Sequence, residues 1–252
     1  MENSDEETEL PKYTIVTDAG KSHSSREYTG FGAATYRYDE DKIEKFEGHY
    51  VNGVREGKGA YWYWNGDSYE GDFQQNKKSG IGLATYKEQP PEDREDEPVN
   101  PSLDRYAKYL GHFREGKRDE CGAMRYPNGD VYVGEWSNGL KSGFGRYKFA
   151  ADKSQLIGTW QHGRLKHGRW QLPSGIYYTG MFKRNKPCGK GVWVFPNGNQ
   201  VIGEYIQKVR EPEDLEVPKE DEKEEEEALP PEELLQIESV EFVCKSCTSV
   251  RE

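Results

Sequence analysis

The sequence predicts an all-β protein: an elongated, twisted, single-layer antiparallel sheet of tandem β-hairpins with disordered acidic ends. Three observations support this fold class. A motif of aromatic or aliphatic residue, spacer and glycine recurs about every 23 residues. The 28 glycines and 32 aromatic residues (17 Tyr, 9 Phe, 6 Trp) lie at fixed positions of this period. Asn-Gly or Ser-Gly pairs, which favour tight hairpin turns, close the units.

The opening motif occurs seven times, and its first residue is taken as position zero of each repeat. The occurrences begin at Phe46, Tyr69, Tyr109, Tyr132, Leu156, Tyr178 and Val201. Their spacings are 23, 40, 23, 24, 22 and 23 residues, so the interval of 40 is one period plus an insertion of 17. One fixed period indicates a repeat architecture.

Each column of the repeat has a predicted structural role. Position +4 is always aromatic, and positions 0, +2 and +4 share one face of a strand, so rings flank a glycine. Position +7 is Gly or Asn in the six complete repeats, which predicts a turn with positive φ. A second strand follows, and a type I′ turn is expected after it. The predicted type I′ pairs are Asn65-Gly66, Asn128-Gly129, Ser174-Gly175 and Asn197-Gly198.

The complete unit, best seen from Tyr132 to Phe149, resembles the MORN repeat. The resemblance covers about 28–86 and 106–207, with a half unit at Tyr28–Gly32, six repeats and a closing Val201–Gln207. Two repeats depart from the pattern: Glu120-Cys121-Gly122 lacks the first glycine of its pair, and Leu156–Tyr177 is one residue short. We expect both repeats to bend or twist differently.

The end of the array also resembles the radial spoke head protein 1 family. The matching residues include Tyr178-Thr179-Gly180-Met181-Phe182, Asn185-Lys186-Pro187-Cys188-Gly189-Lys190-Gly191 and Gln200-Val201-Ile202-Gly203-Glu204-Tyr205, followed by a glutamate-rich stretch at 220–227. This resemblance implies an axonemal component of cilia or flagella beside other spoke-head proteins. The short tail after 227 and the insertion at 87–105 depart from that family and leave other spoke-head or sperm-tail MORN paralogues open.

Three domains are predicted: an acidic, irregular N-terminal segment (1–27), the repeat array (28–207, with an acidic insertion at 87–105) and an acidic, largely disordered tail (208–252). Charge is unevenly divided among them. Residues 211–238 hold fourteen acidic residues against two lysines, whereas 136–210 holds thirteen Lys and Arg against Asp152 and Glu204. Within the tail, 229–243 carries apolar residues that could form a short helix or strand on a partner.

The sequence shows no pattern that predicts catalysis. His49 and His112 both lie at position +3, opposite the ring column, where a solvated role is expected, and no phosphate-binding loop or nucleophile elbow is seen. We therefore expect no catalytic residues, cofactor or metal. Cys244-Lys245-Ser246-Cys247 is a single CxxC motif, interpreted as a coincidence in a flexible tail, with a shared or intermolecular metal site as the alternative.

A basic cluster in the second half of the array is the candidate interaction surface. Its members are Arg164, Lys166, Arg169, Lys183, Arg184, Lys186 and Lys190. It is interpreted as a solvated face that balances the acidic tail, a docking site for acidic protein surfaces, or a phosphoinositide site. Nucleic acid is not expected, because the rings are committed to stacking and acidic segments repel phosphate.

These observations and the two resemblances predict a non-enzymatic scaffold of the axonemal radial spoke head that supports ciliary or flagellar motility. Its expected partners are other spoke-head proteins, a second copy or a MORN paralogue, and central-pair projections. The alternative function is a tether between protein and phosphoinositide membranes. The absence of a secretory signal and of an apolar run of about 20 residues predicts a cytoplasmic location, and the resemblance to the radial spoke head protein 1 family implies the axoneme.

Overall fold

A computed structural model describes residues 12–87, 106–210 and 236–248. These residues form seventeen β-strands and no helix. The strands fall into two units: the first holds the residues up to Lys153 together with Gln161–Gly163, and the second holds Ser154–Trp160 and the residues from Arg164 onwards. The predicted all-β class and the antiparallel hairpin repeats are confirmed. The acidic N-terminus to residue 11, all of the predicted insertion except Lys87, and residues 211–235 of the tail lie outside the described residues.

The first unit contains eleven strands, each antiparallel to its neighbour. Their bounds are β1 Tyr13–Thr17, β2 Gly20–Ser22, β3 Gly30–Arg37, β4 Ile43–Val51, β5 Val54–Trp62, β6 Ser68–Gln74, β7 Lys77–Lys87, β8 Tyr106–Arg114, β9 Lys117–Arg125, β10 Val131–Ser137 and β11 Leu140–Lys148. From β3 to β11 each strand pairs with the next in chain order. β1 pairs with both β2 and β3, so β2 is an edge strand of three residues.

The second unit contains six strands. Their bounds are β12 Gln155–Gln161, β13 Arg164–Gln171, β14 Tyr177–Lys183, β15 Lys186–Val194, β16 Gln200–Arg210 and β17 Gln236–Thr248. β13 to β17 pair antiparallel in chain order. β12 lies against β13, where the Cβ that a side chain at Gly158 would add lies 2.6 Å from the Cα of Gly168.

The core of each unit lies on the face that carries positions 0, +2 and +4, called here the inner face. Tyr69, Tyr109 and Tyr132 at position zero are at most 1% exposed. Each ring covers glycines of its own hairpin: a Cβ at Gly122 would lie 2.5 Å from Cε2 of Tyr109. Tyr69 and Tyr109 also meet the +4 ring of the next repeat edge-on, with 5.2 Å between the centroids of Tyr109 and Trp136. The predicted aromatic and glycine columns are therefore part of the fold.

The predicted turn chemistry is right at position +7 and wrong at the Asn-Gly pairs. All six +7 residues have positive φ, and the residue before each does too, as in Asn138 (50°) and Gly139 (86°). These two-residue turns have the positive φ pair that defines type I′. In contrast, Asn65 has no positive φ, and Gly66 N–H donates to the carbonyl of Tyr63 at 3.1 Å in a four-residue turn. The Asn65 Oδ1 instead accepts from Asp67 N–H at 3.0 Å.

The two irregular repeats behave differently from each other. Glu120 takes φ 54°, close to the 57° of Gly143 at the same position, and Gly111 still pairs with Gly122. This repeat therefore keeps the regular strand pairing, because a non-glycine residue can adopt the left-handed conformation at a cost of about 1 kcal/mol. The expectation that it bends or twists differently stays a prediction. In the short repeat, His167 has no positive φ, so β13 lacks this left-handed residue.

Ordered strands lie in both terminal segments, which the sequence suggests are irregular. Ile15 of β1 packs on Gly32, where an added Cβ would lie 2.9 Å from Ile15 Cδ1. β17 pairs with β16 over eleven residue pairs. The apolar stretch of the tail thus contributes to a strand of its own chain, because a terminal half repeat needs another strand to cover its inner face.

Candidate interaction surfaces

Three tyrosine hydroxyls of the inner face donate hydrogen bonds within their own repeats. The hydroxyls of Tyr69, Tyr109 and Tyr132 each donate to the carbonyl three residues later, at 2.8, 3.0 and 3.0 Å. Burial raises the pKa of all three phenols, so they stay protonated donors at neutral pH. Rings that are buried and hydrogen-bonded within the repeats are not available to a partner.

Position +9 carries a column of inward-pointing cations, which was not predicted from the sequence. Its members are Arg55, Lys78, Arg118 and Lys141. Each lies over rings of its own and neighbouring repeats: the Arg118 Cζ is 4.6 Å from the Trp136 centroid, and Lys141 Nζ is 4.8 Å from that of Tyr147. The sequence contains the pattern that would have predicted this column: position +9 is basic in four consecutive repeats and is Leu165 and Pro187 in the second unit.

Two buried carboxylates of the first unit accept hydrogen bonds at the end of the inner face that lies next to the turns. Asp130, 7% exposed, accepts from the Tyr147 hydroxyl at 2.7 Å and from the Ala150 N–H at 2.7 Å. Glu44, 8% exposed, accepts from the Tyr61 hydroxyl at 2.5 Å. These carboxylates sit at position −2 and are satisfied by the fold, so they are structural groups.

The opposite face of the first unit, called here the outer face, exposes apolar side chains. Ile81, Leu110, Val133 and Phe144 are 54%, 57%, 53% and 62% exposed. The glycine row lies between them and contributes no side chains, which leaves two adjoining grooves of about 680 and 500 Å³ that share Ile81 and Leu110. Apolar side chains clustered along a groove mark a binding surface more than scattered ones do.

Charged residues border this apolar groove in a pattern set by the strand register. Lys108 pairs across the strands with Arg125, and Arg146 lies opposite Val133, so cations follow the β8–β11 side. Arg125, Arg146 and Lys148 are exposed. Towards β4–β6 the groove is lined by Glu47, Lys58 and Glu70, and its β8–β11 part is lined by Glu135. The groove therefore has an apolar centre, with charged side chains of both signs around it.

The structure places the predicted basic cluster of the second unit along three strands and one turn. Arg164, Lys166 and Arg169 lie on β13, Lys183 ends β14, Arg184 occupies the type I′ turn, and Lys186 and Lys190 lie on β15. Five of the seven are exposed: Lys166, Arg169, Lys183, Lys186 and Lys190. The Arg169 guanidinium stacks 4.0 Å above the ring of Tyr177, and Lys190 lies across from Glu204. The cluster is thus spread over strand and turn positions.

The histidines and cysteines occupy surface positions. His49 is exposed, with its ring 5.6 Å from that of Phe31, and His112 is half-buried with Nδ1 3.5 Å from Glu120. Cys244 and Cys247 are exposed on β17, with 3.4 Å between their Sγ atoms. Among the described residues, no group of three or more His, Cys, Asp or Glu side chains is arranged to hold a metal ion. No helix of sufficient length and hydropathy to span a bilayer occurs in the described ranges.

Comparison with protein families matches the MORN repeat in five segments: residues 46–68, 69–88, 109–131, 132–151 and 178–200. Each match begins at position zero of a repeat described above. The chain therefore contains MORN repeats, and the resemblance drawn from its periodicity is confirmed. These repeats support a repeat scaffold as the general role of the chain.

Curated relatives include Alsin of Rattus norvegicus, which is 24% identical over an alignment of 229 residues. The match covers 69% of this chain and 13% of Alsin. The ALS2 C-terminal-like protein of Homo sapiens is 29% identical over 100 residues, 40% of this chain and 9% of that protein. The chain thus spans about one seventh of the length of the Alsin proteins that it matches. Among solved structures, the SAS-4 (dCPAP) TCP domain in complex with a proline-rich motif of Ana2 of Drosophila melanogaster aligns at 15% identity with a TM-score of 0.39, covering 70% of this chain and 87% of that one.

Proposed function

We propose that this chain is a non-enzymatic scaffold of the ciliary or flagellar radial spoke head, which binds neighbouring spoke-head proteins through the outer face of its first unit. The observation that carries the binding role is the exposed apolar groove formed by Ile81, Leu110, Val133 and Phe144. The inner face cannot serve this purpose, because its rings are buried within the repeats.

The groove indicates the chemistry of its partner. An apolar segment would fill the channel above the glycine row, where the backbone is not covered by side chains. Acidic residues of the partner would lie against Lys108, Arg125, Arg146 and Lys148, where opposite charges favour one orientation. We expect this partner to be another spoke-head protein, with a second copy or a MORN paralogue as further partners of the same surface.

The spoke-head assignment rests on the resemblance of the array end, from Tyr178 to Tyr205, to the radial spoke head protein 1 family. In that location the scaffold would contact central-pair projections and support motility. Alsin and the ALS2 C-terminal-like protein share about a quarter of the aligned residues with this chain.

Tagging the protein in a ciliated cell tests the location, and affinity purification from isolated axonemes tests the surface. We expect an axonemal signal and co-purification of spoke-head proteins identified by mass spectrometry. Absence from the axoneme would overturn the spoke assignment and leave the repeat scaffold intact.

A matched pair of substitutions on β10 tests the groove. Val133→Asp places a charge in the apolar centre and should remove the spoke-head partners, because a carboxylate buried against apolar side chains is costly. Ser137→Asp adds the same charge to an exposed residue of the same strand beyond the groove and should leave them bound. Equal binding by both variants would exclude the groove as the interface.

A second function is favoured by the exposed cations Lys166, Lys183, Lys186 and Lys190 of the second unit. Clustered Lys and Arg attract anionic headgroups, so these residues could tether the protein to phosphoinositide membranes. Co-sedimentation with phosphatidylcholine vesicles, with and without phosphatidylinositol 4,5-bisphosphate, tests this function. Salt-sensitive binding only to the phosphoinositide vesicles, lost in Lys183→Glu/Lys186→Glu, would support the tether; equal partition in both vesicle types would exclude it.

A further inference from the structure

The CxxC motif lies on a strand whose register is interrupted between its two cysteines. Cys244 pairs with Gly203 and Cys247 with Val201, while Ser246 pairs with Ile202. Lys245 is therefore the additional residue of a β-bulge, without a counterpart on β16. Its ammonium group contacts Glu204 Oε2 at 2.6 Å, which holds the bulged residue to the neighbouring strand.

This bulge changes where the two thiols point. Residues three apart on a regular strand lie on opposite faces. Because Lys245 is extra, Cys244 and Cys247 occupy positions opposite Gly203 and Val201, which are two residues apart and share one face of β16. The two Sγ atoms consequently approach to 3.4 Å, and both side chains are exposed to solvent.

We propose that Cys244 and Cys247 form a redox-active dithiol that small disulfides such as oxidised glutathione convert to an intramolecular disulfide. One thiolate attacks a sulfur of oxidised glutathione and releases one glutathione thiolate. The second cysteine then attacks the mixed disulfide and releases the other. The cysteine pair loses two electrons and two protons, and one molecule of oxidised glutathione becomes two of reduced glutathione.

The geometry fits this reaction. The sulfur atoms must move from 3.4 Å to about 2.05 Å, a shift that rotation of two exposed side chains can supply. The hydrogen bond with Cys247 raises the pKa of the Cys244 thiol, which favours Cys244 as the second, resolving thiol. The other two cysteines are far along the chain: Cys121 on β9 and Cys188 on β15.

The position of the pair gives its oxidation a structural consequence. β17 covers the last half repeat, where Phe242 lies two residues before Cys244 and packs against Tyr205 at 4.9 Å between ring centroids. A disulfide across the bulge would restrict the unfolded conformations of this strand and stabilise its pairing with β16. This inference is independent of the proposed spoke-head function.

The test equilibrates the full chain with glutathione buffers of increasing oxidised fraction, blocks free thiols with iodoacetamide, and measures the peptides by mass spectrometry. The expected product is a peptide with Cys244 and Cys247 joined, two hydrogen atoms lighter and unalkylated. Exposed Cys121 is the single-thiol control: it should be either alkylated or carry glutathione. In Cys247→Ser, Cys244 should instead accumulate as a glutathione adduct. The Cys121→Ser/Cys188→Ser variant should form the same linked peptide as the natural chain.

Three outcomes would overturn the proposal. One is separate glutathione adducts on Cys244 and Cys247 in the natural chain, without a linked peptide. Another is a disulfide between two copies as the main product, seen on non-reducing gels. The third is protection of both thiols from iodoacetamide by equimolar Zn²⁺ together with resistance to oxidation, which would identify the pair as metal ligands.

Discussion

The ring of Phe242 lies directly over Gly203, at a point where an added Cβ would be 2.3 Å from the Cζ of Phe242. The same relationship of ring to glycine holds inside the array, where Tyr109 covers Gly122 and Tyr132 covers Gly145. Within a repeat, ring and glycine belong to one hairpin. At the C-terminal end the ring comes from β17, so this strand supplies what the last half repeat lacks.

We expect Phe242→Ala to lower the free energy of unfolding by about 2 kcal/mol, less than for a fully buried ring because Phe242 is half-exposed. Denaturant unfolding followed by tryptophan fluorescence would measure this change. Val243→Ala is the matched control on the same strand: its side chain is 43% exposed, and the expected cost is within about 0.5 kcal/mol. Equal effects of both changes would contradict the capping role of β17.

Two glycines of one repeat should respond very differently to alanine. At Gly122 an added Cβ would lie 2.3 Å from the Tyr109 hydroxyl oxygen, and we expect Gly122→Ala to cost about 3 kcal/mol through overpacking. At Gly116 no atom lies within 4 Å, and only the φ of 83° opposes a side chain, so Gly116→Ala should cost about 1 kcal/mol. Chemical denaturation of both variants makes the comparison. The reverse order would show that conformation, and not ring contact, selects glycine in this row.

The inward-pointing Arg118 should stabilise the first unit. Its guanidinium lies over Trp136, and Nη2 donates to the carbonyl of Gly139 at 2.8 Å. Replacement by methionine keeps much of the apolar stem and removes both interactions, so we expect Arg118→Met to cost about 1–2 kcal/mol. Arg125→Met, at an exposed position of the same strand, should have little effect on thermal unfolding. An unchanged melting temperature in Arg118→Met would show that the cations at position +9 do not stabilise the fold.

The pH dependence of the free energy of unfolding should show the effect of the partly buried Lys141 ammonium group. Burial, with a smaller contribution from Arg118, lowers the pKa of Lys141 from 10.5 to about 8. Between these two values the unfolded chain binds more protons than the folded chain, so the free energy of unfolding contributed by this group rises with pH. Below pH 8 both states are protonated and the contribution stays at its lower level.

The measurement compares the natural chain with Lys141→Met at pH 7 and pH 9.5. The natural chain should gain on the order of 1 kcal/mol relative to the variant, after allowance for the partly solvated ammonium group. Lys148→Met, which changes an exposed lysine of the same strand, should show no such difference. Parallel pH profiles for the natural chain and Lys141→Met would contradict the lowered pKa. Partial ionisation of tyrosines in the unfolded state at pH 9.5 affects the natural chain and the variant alike, so it cancels in this comparison.

Much of the architecture follows from the period alone. Tyr132, Gly134 and Trp136 alternate along a strand, so their common face is fixed by local geometry once the strand is recognised. The positive φ at Asn76 and Gly139 follows likewise from residue type at a fixed position. The cations at position +9 could have been predicted by the same reasoning, since Arg118 and Lys141 lie one period apart. These features are determined by neighbouring residues, and the sequence alone is sufficient for them.

The remaining features depend on partners that are distant in the chain. By residue type alone the Asn65-Gly66 pair fits a type I′ turn. Another turn forms instead, because the Asp67 N–H donates to Asn65 Oδ1 and the Asp67 carboxylate accepts from the N–H of distant Lys87. The apolar groove arises only when β7 to β11 are in register and place Leu110 and Val133 on either side of Ala123. Likewise, the pairing of β17 with β16 creates the bulge that brings the Cys244 and Cys247 thiols together. The sequence by itself determined the repeat and its buried face, because side-chain alternation is local; only the tertiary structure decided which strands cap the repeats and which outer residues meet, because strand pairing is a long-range choice.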